Sequence, residues 1–389
     1  MLSKYNLILF YIRKKNICYT SSMTILLALF YYFYFSIIGV YIIFIPKVLS
    51  NFEYSASEIG ILLGAAPLVR FVLPFLFVKG FKLNAKTFQV SLFILLFSSL
   101  SFYLCIESFY LLLLSNIFLG VGLSFVLPYI EVIALDIIGK ERYGKVRLFG
   151  SIGFIIIALV LVKFFSSPYK ALDYLFVLTV ITVCIAFIIN KKEHKELRHQ
   201  DTSDKKFSFA QDIYLWVSLV FMQISFGSFY NFFTIYETDQ GISLDMTVYL
   251  WSFGVLIEIV MLFFQGKLLQ EKRLLNLMRV SVFSSIIRWF LVFLYPQNLY
   301  LLFLSQSLHA LSFALFHSST ISYLYQIYQN KKLAQQFFMG FSYGLGGLSG
   351  AVIAGYVYDY YPQYLFLTSS LFSLIAFIFL LMYNHKHKV

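Results

Sequence analysis

The sequence predicts an all-α integral membrane protein with twelve spanning helices in two pseudo-symmetric six-helix bundles. Three observations carry that prediction. The 389 residues are 60% apolar and only 12% charged, about half the charge of a soluble domain. The apolar runs reach the roughly 20 residues that cross a hydrocarbon layer as a helix. Lys and Arg collect in every second connecting segment. Lipid tolerates only helices or closed barrels, because every backbone N–H and C=O must be paired internally. The runs are far too long for barrel strands, so they are read as helices.

In chain order the spans fall at 24–46, 57–79, 86–106, 108–138, 145–166, 171–190, 212–237, 245–266, 274–295, 298–326, 334–358 and 362–384. Pro46, Pro168, Pro296 and Pro362 lie at or near the predicted ends, where a missing N–H does no harm. With the N-terminus in the cytoplasm, 25 of the 30 Lys and Arg occupy inside segments, against Lys47, Lys163 and Lys170 outside. Positive residues favour the cytoplasmic side. Both termini are therefore expected inside, at the inner membrane. The net charge of +12 is then a topology signal and not a nucleic-acid surface.

The longest polar stretch, KKEHKELRHQDTSDKKFSFAQ at 191–211, separates a bundle at 24–190 from a second at 212–389. Equal halves joined by a linker suggest bundles that rock about a site near the midplane. Residues 1–23 hold Lys4, Arg13, Lys14 and Lys15 without a cleavage site after a short apolar run. They read as a cytoplasmic lead-in, or as an upstream extension if translation starts at Met23. Cys18, Cys105 and Cys184 fall in different compartments, which argues against a disulfide or a metal site.

The remaining two basic residues, Arg70 and Arg288, sit inside spans, as do Glu131, Glu258 and His309. A charge in the hydrocarbon layer costs roughly 2.5–3.5 kcal/mol on insertion scales unless it meets a partner or a wet cavity. Each such residue is therefore a candidate functional group. Counting about 1.5 Å per residue, Arg70, Glu258, Arg288 and His309 come to similar depth near the midplane. Glu258 reads as a proton-coupling carboxylate with Arg288 on the next helix as its cation, or as half of a fixed ion pair. Arg70, with no acid at matching depth nearby, suits an anionic substrate. Glu131 and Arg147 flank the hairpin between spans four and five and can approach each other, as substrate or gate contacts or as a staple. His309 can relay protons or bind solute. His317, eight residues on, reads more readily as an interhelical partner. Aromatics crowd span one, with Tyr31, and span seven, around Asn231, and both residues are further candidates. The glycines of GFSYGLGGLSGAVIAGYVYD in span eleven allow close helix approach.

The strings GILLGAAPLVRFVLP (60–74), YGKVRLFGSIGF (143–154), LWSFGVLIEI (250–259), SIIRWF (285–290) and LSQSLHALSFALFH (304–317) resemble the major facilitator superfamily. They are similar to its proton-symporter branch, that of phenylpropionate transport and, more distantly, of lactose permease. The resemblance implies the major facilitator fold, helices one and seven lining a cavity, and importance for Glu131 and Glu258. Two features depart from it. The loop after span two, VKGFKLNAKTF, lacks the superfamily's acidic residue, and Ser312 stands where lactose permease has a carboxylate one turn after the span-ten histidine.

The combined expectation is a secondary transporter, not an enzyme, and without cofactor or metal. It would import a small organic solute with protons, best an aromatic or other monocarboxylate such as phenylpropionate. Proton-coupled sugar or nucleoside uptake and antiport efflux of amphipathic compounds are the alternatives, with a lipid-processing membrane enzyme as a remote third. Its partners would be solute, protons and lipid, with no nucleic acid, and it would act as a monomer.

Overall fold

The computed structural model describes residues 2–192 and 209–386, and all of its regular structure there is helical. Twelve helices are long and apolar enough to cross a membrane: α1 (Ser21–Asn51), α2 (Ala56–Val78), α3 (Ala85–Leu104), α4 (Phe109–Gly139), α5 (Glu141–Phe164), α6 (Pro168–Lys192), α7 (Ile213–Asp239), α8 (Leu244–Gln270), α9 (Leu274–Leu294), α10 (Leu299–Ile327), α11 (Lys331–Tyr360) and α12 (Pro362–Tyr383). Most of the 191–211 linker lies outside the described residues.

Two boundaries differ from the sequence reading. Helix α1 does not stop at Pro46: the helix breaks at Phe44, and Pro46 opens a second helical stretch, Ile45–Asn51. Proline fits a first turn, where its N–H would have no partner anyway, so it marks a restart here and not an end. The predicted loop between α4 and α5 contracts to a turn at Gly139, whose φ of 72° suits a residue without Cβ. Arg142, Lys145 and Arg147 consequently lie on the first turns of α5.

In the first half α1 packs on α5 and α6, and α3 on α4 and α6; in the second, α7 packs on α11 and α12, and α9 on α10 and α12. The halves meet along α2–α11, α5–α8 and α1–α7. The α2–α11 seam is the tightest of these. A Cβ on Gly344 would lie 2.5 Å from the backbone nitrogen of Phe71, so only glycine admits the approach. Van der Waals contact of this kind replaces the hydrophobic drive that lipid cannot supply. Toward the end that carries the termini the seam becomes aromatic, with Phe71 on Phe341 and Phe75 on Phe337.

The opposite end is held by charge. Lys47 of α1 lies 3.7 Å from Asp239 of α7 and donates to Thr238 at 2.9 Å. Lys163 of α5 pairs with Asp245 of α8 at 2.8 Å. Asp359 of α11 accepts from the backbone N–H of Ala56 at 2.8 Å and of Ser57 at 2.7 Å. Ser55 and Glu58 form a capping box on the same helix start. One half of the molecule therefore caps a helix of the other, satisfying donors that a helix N-terminus leaves open. Among the described residues, the ion pairs that join the two halves lie at this end.

Candidate functional site

The intramembrane charges converge between the halves in two clusters and one single arginine. In the second half, Arg288 of α9 is fully buried. Its Nη1 lies 2.8 Å from Nδ1 of His309 and 3.3 Å from Ser312 Oγ, and its Nη2 donates to Gln306 Oε1 at 2.9 Å. All of these partners sit on α10. Aromatic faces complete the sheath: the guanidinium carbon is 4.3 Å from the ring centres of both Phe229 and Trp289, a favourable arrangement for a desolvated cation. Burial closes Arg288 to solute in this conformation.

The carboxylate of Glu258 meets His309, not Arg288: Glu258 Oε2 is 3.4 Å from His309 Nε2. The expected direct Glu258–Arg288 contact is thus replaced by a relay in which the histidine ring separates cation from acid. Guanidinium can only donate. His309 Nδ1 must therefore accept from Arg288, which leaves the proton on Nε2, facing Glu258. The Glu258 side chain is 17% exposed, so of the three relay groups it is the one open to water.

In the first half, the Tyr143 hydroxyl donates to Glu131 Oε1 at 2.9 Å, and Arg147 Nε lies 3.7 Å from the same oxygen. Glu131 and Arg147 thus approach each other as their positions on the hairpin suggested. Arg147 lies over Phe35 at 3.8 Å and beside Tyr31 at 5.4 Å. Tyr31 is buried behind this pair. Both charged side chains keep about a third of their surface open.

Arg70 of α2 stands apart. It is half-buried, and among the described residues it makes no hydrogen bond or ion pair. Its chain neighbour Phe71 packs on Gly344 and Phe341 of α11, so Arg70 lies on the helix of the tightest seam between the halves. Tyr343 bonds His317 Nδ1 at 2.8 Å, joining α10 to α11 as an interhelical pair. Asn231 donates its amide to Gly227 of its own helix at 2.8 Å and lies half-buried one residue after Tyr230.

Both α10 and α11 carry π-helical stretches here, Ala310–Leu315 directly after His309 and Phe338–Gly346 around Tyr343. Such stretches change the direction of the side chains that follow and recur at functional sites. Gln306 and Tyr143 were not singled out from the sequence, although the signal was there. Gln306 precedes His309 by three residues and Tyr143 precedes Arg147 by four, both spacings that share a helix face.

Twelve spans in two halves, with ionisable groups gathered at the seam between them, define a multi-pass secondary transporter of the major facilitator type. Residues 24–368 match the model of the MFS_1 like family, and the chain belongs to that family. It is 25% identical over 373 residues to the Escherichia coli (strain K12) "Probable 3-phenylpropionic acid transporter", spanning 90% of this chain and 95% of that one. It is also 25% identical over 268 residues to the Bacillus subtilis (strain 168) "Uncharacterized transporter YwbF", 66% of each chain. Among solved structures, that of the nucleoside transporter NupG superposes with a TM-score of 0.76 at 15% identity, over 94% of this chain and 99% of that one. That likeness concerns the fold. The protein is a transporter and not an enzyme.

Proposed function

We propose that the chain imports a small organic carboxylate, best an aromatic monocarboxylate such as 3-phenylpropionate, together with protons. The observation that carries this reading is Arg70: a half-buried guanidinium in the middle of a span, with no partner among the described residues, on the helix that meets α11 across the seam. A cation so placed needs an anion, and guanidinium forks onto two carboxylate oxygens. Tyrosine rings offer an apolar wall with a hydroxyl for the polar end of the solute. The similarity to the Escherichia coli protein supports the same solute class.

Glu258 is the proton carrier in this reading, because it is the exposed member of the Arg288–His309–Glu258 relay. Glu131 with Arg147 lines the opposite wall, with Tyr31 holding Arg147 in place. Residues 24–190 and 212–389 move as the two rocking units. The concentration of basic residues in alternate connecting segments supports termini on the cytoplasmic side of the inner membrane. Labels at Ser203 and Asn298 then react from opposite sides of the membrane, and reaction of both from one side contradicts that orientation.

A matched pair of ligands tests the solute class. 3-Phenylpropionate raises the melting temperature of the purified transporter, whereas 3-phenylpropanol, with the same ring and no charge, does not. Equal stabilisation by both removes the carboxylate reading.

A further inference from the structure

A second acid lies well away from the relay. Glu237 of α7 sits at the end opposite the termini, directly before Thr238 and Asp239, which contact Lys47. It is 0% exposed, and both carboxyl oxygens lack a hydrogen-bond partner among the described residues. The other charged groups around it are engaged elsewhere. Lys47 of α1 binds Thr238 and Asp239. Asp239 also accepts from Tyr358 of α11 at 2.7 Å. Asp359 of α11 and Glu58 of α2 are occupied at the start of α2. Asp245 of α8 holds Lys163. Of the tyrosines on the helices packed there, Tyr236 and Tyr364 make ring contacts with Phe366 and Phe293, and Tyr41 donates to Asn116 at 2.8 Å.

We propose that Glu237 is a second proton-binding site, loaded when this end of the bundle closes and unloaded when it opens. An isolated ionised carboxylate taken out of water costs far more than a neutral acid does, and it neutralises instead. The closed arrangement gives Glu237 neither a cation nor a donor, so closure requires the neutral form. Opening of this end, where Lys47 of α1 holds the next two residues of α7, Thr238 and Asp239, would return the side chain to water, where the anion is stable. Proton uptake then favours closure, and the proton returns to the same side when that end opens. The chemistry is a reversible protonation of one carboxyl oxygen by water-borne protons, and no bond other than O–H forms or breaks. It is independent of the solute and of Glu258.

The test reads the closure directly. Tyr110 at the start of α4 and Tyr300 at the start of α10 are 80% and 89% exposed at this end, one on each half. Spin labels on Tyr110→Cys and Tyr300→Cys, with Cys18, Cys105 and Cys184 replaced by serine, report the distance by pulsed electron resonance in nanodiscs from pH 5 to 8. The closed-to-open ratio rises as pH falls, by at most tenfold per pH unit for one linked proton. Glu237→Gln, a neutral isostere, is closed at every pH, while Asp173→Asn, at a surface acid paired with Lys170, keeps the slope of the parent. If Glu237→Gln does not insert, Glu237→Leu gives the same flat profile without needing a hydrogen bond. A parent that does not respond to pH, or a Glu237 variant that keeps the parental slope, overturns the proposal. Neither result bears on which solute is carried.

Discussion

Arg288 points its guanidinium at Nδ1 of His309, 2.8 Å away, and thereby decides which nitrogen of that ring carries the proton. Since the arginine has no lone pair to offer, the histidine presents Nε2–H to Glu258. In the proposed mechanism the relay is an orienting device, with Glu258 as the group that exchanges protons.

The tautomer is directly measurable. Nitrogen-15 histidine spectra should show His309 as a single Nε2–H tautomer across pH 5 to 8. Arg288→Met removes the donor that occupies Nδ1, and a fraction of the rings protonated at Nδ1 should appear. A mixture already present in the parent protein would remove Arg288 from its orienting role.

Glu258→Gln should abolish accumulation of solute driven by an imposed pH gradient while leaving counterflow measurable, because exchange needs no net proton movement. Counterflow and gradient-driven uptake in the same proteoliposomes separate the two. Uphill uptake at the parental level would move the coupling role away from the relay, with Glu131 next in line.

Asp359 caps α2 across the seam through two backbone N–H groups. A cap acceptor contributes about 1 kcal/mol, and a carboxylate at a helix start gains further from the helix dipole. Asp359→Ala should therefore shift the closed-to-open ratio at that end by roughly fivefold toward open, since about 1.4 kcal/mol corresponds to tenfold. The label pair at positions 110 and 300 reads this shift. An unchanged distance distribution would mean the cap contributes nothing to closure.

Hydropathy made the helix count legible, since a span announces itself by length and composition. Local breaks were harder to read. A proline opening a helical restart, as Pro46 does, has the same sequence signature as one ending a helix. The isolated charges were legible as outliers at matching depth, and Glu131 could be paired with Arg147 because a short hairpin leaves little choice. Arg288 could not be assigned its partner in that way. Whether it meets Glu258 or His309 depends on the rotation of three helices about their axes, which spacing alone does not fix. Glu237 was passed over because it precedes Thr238 and Asp239, and an acid beside polar residues at a span end reads as solvated. Its burial arises from tertiary packing, which has no trace in the local sequence.

In the proposed function a carboxylate enters with protons and is held by Arg70. Uptake of 3-phenylpropionate into proteoliposomes, with and without an inward proton gradient, and with the parent beside Arg70→Lys, tests it most directly. The gradient should drive accumulation in the parent, and a protonophore should abolish it. Arg70→Lys keeps the charge but loses the fork, so apparent affinity should fall about tenfold or more, given roughly 1.5–3 kcal/mol for a charge-assisted hydrogen bond. Accumulation of a neutral sugar or nucleoside in place of carboxylates, with Arg70→Lys fully active, would contradict the account.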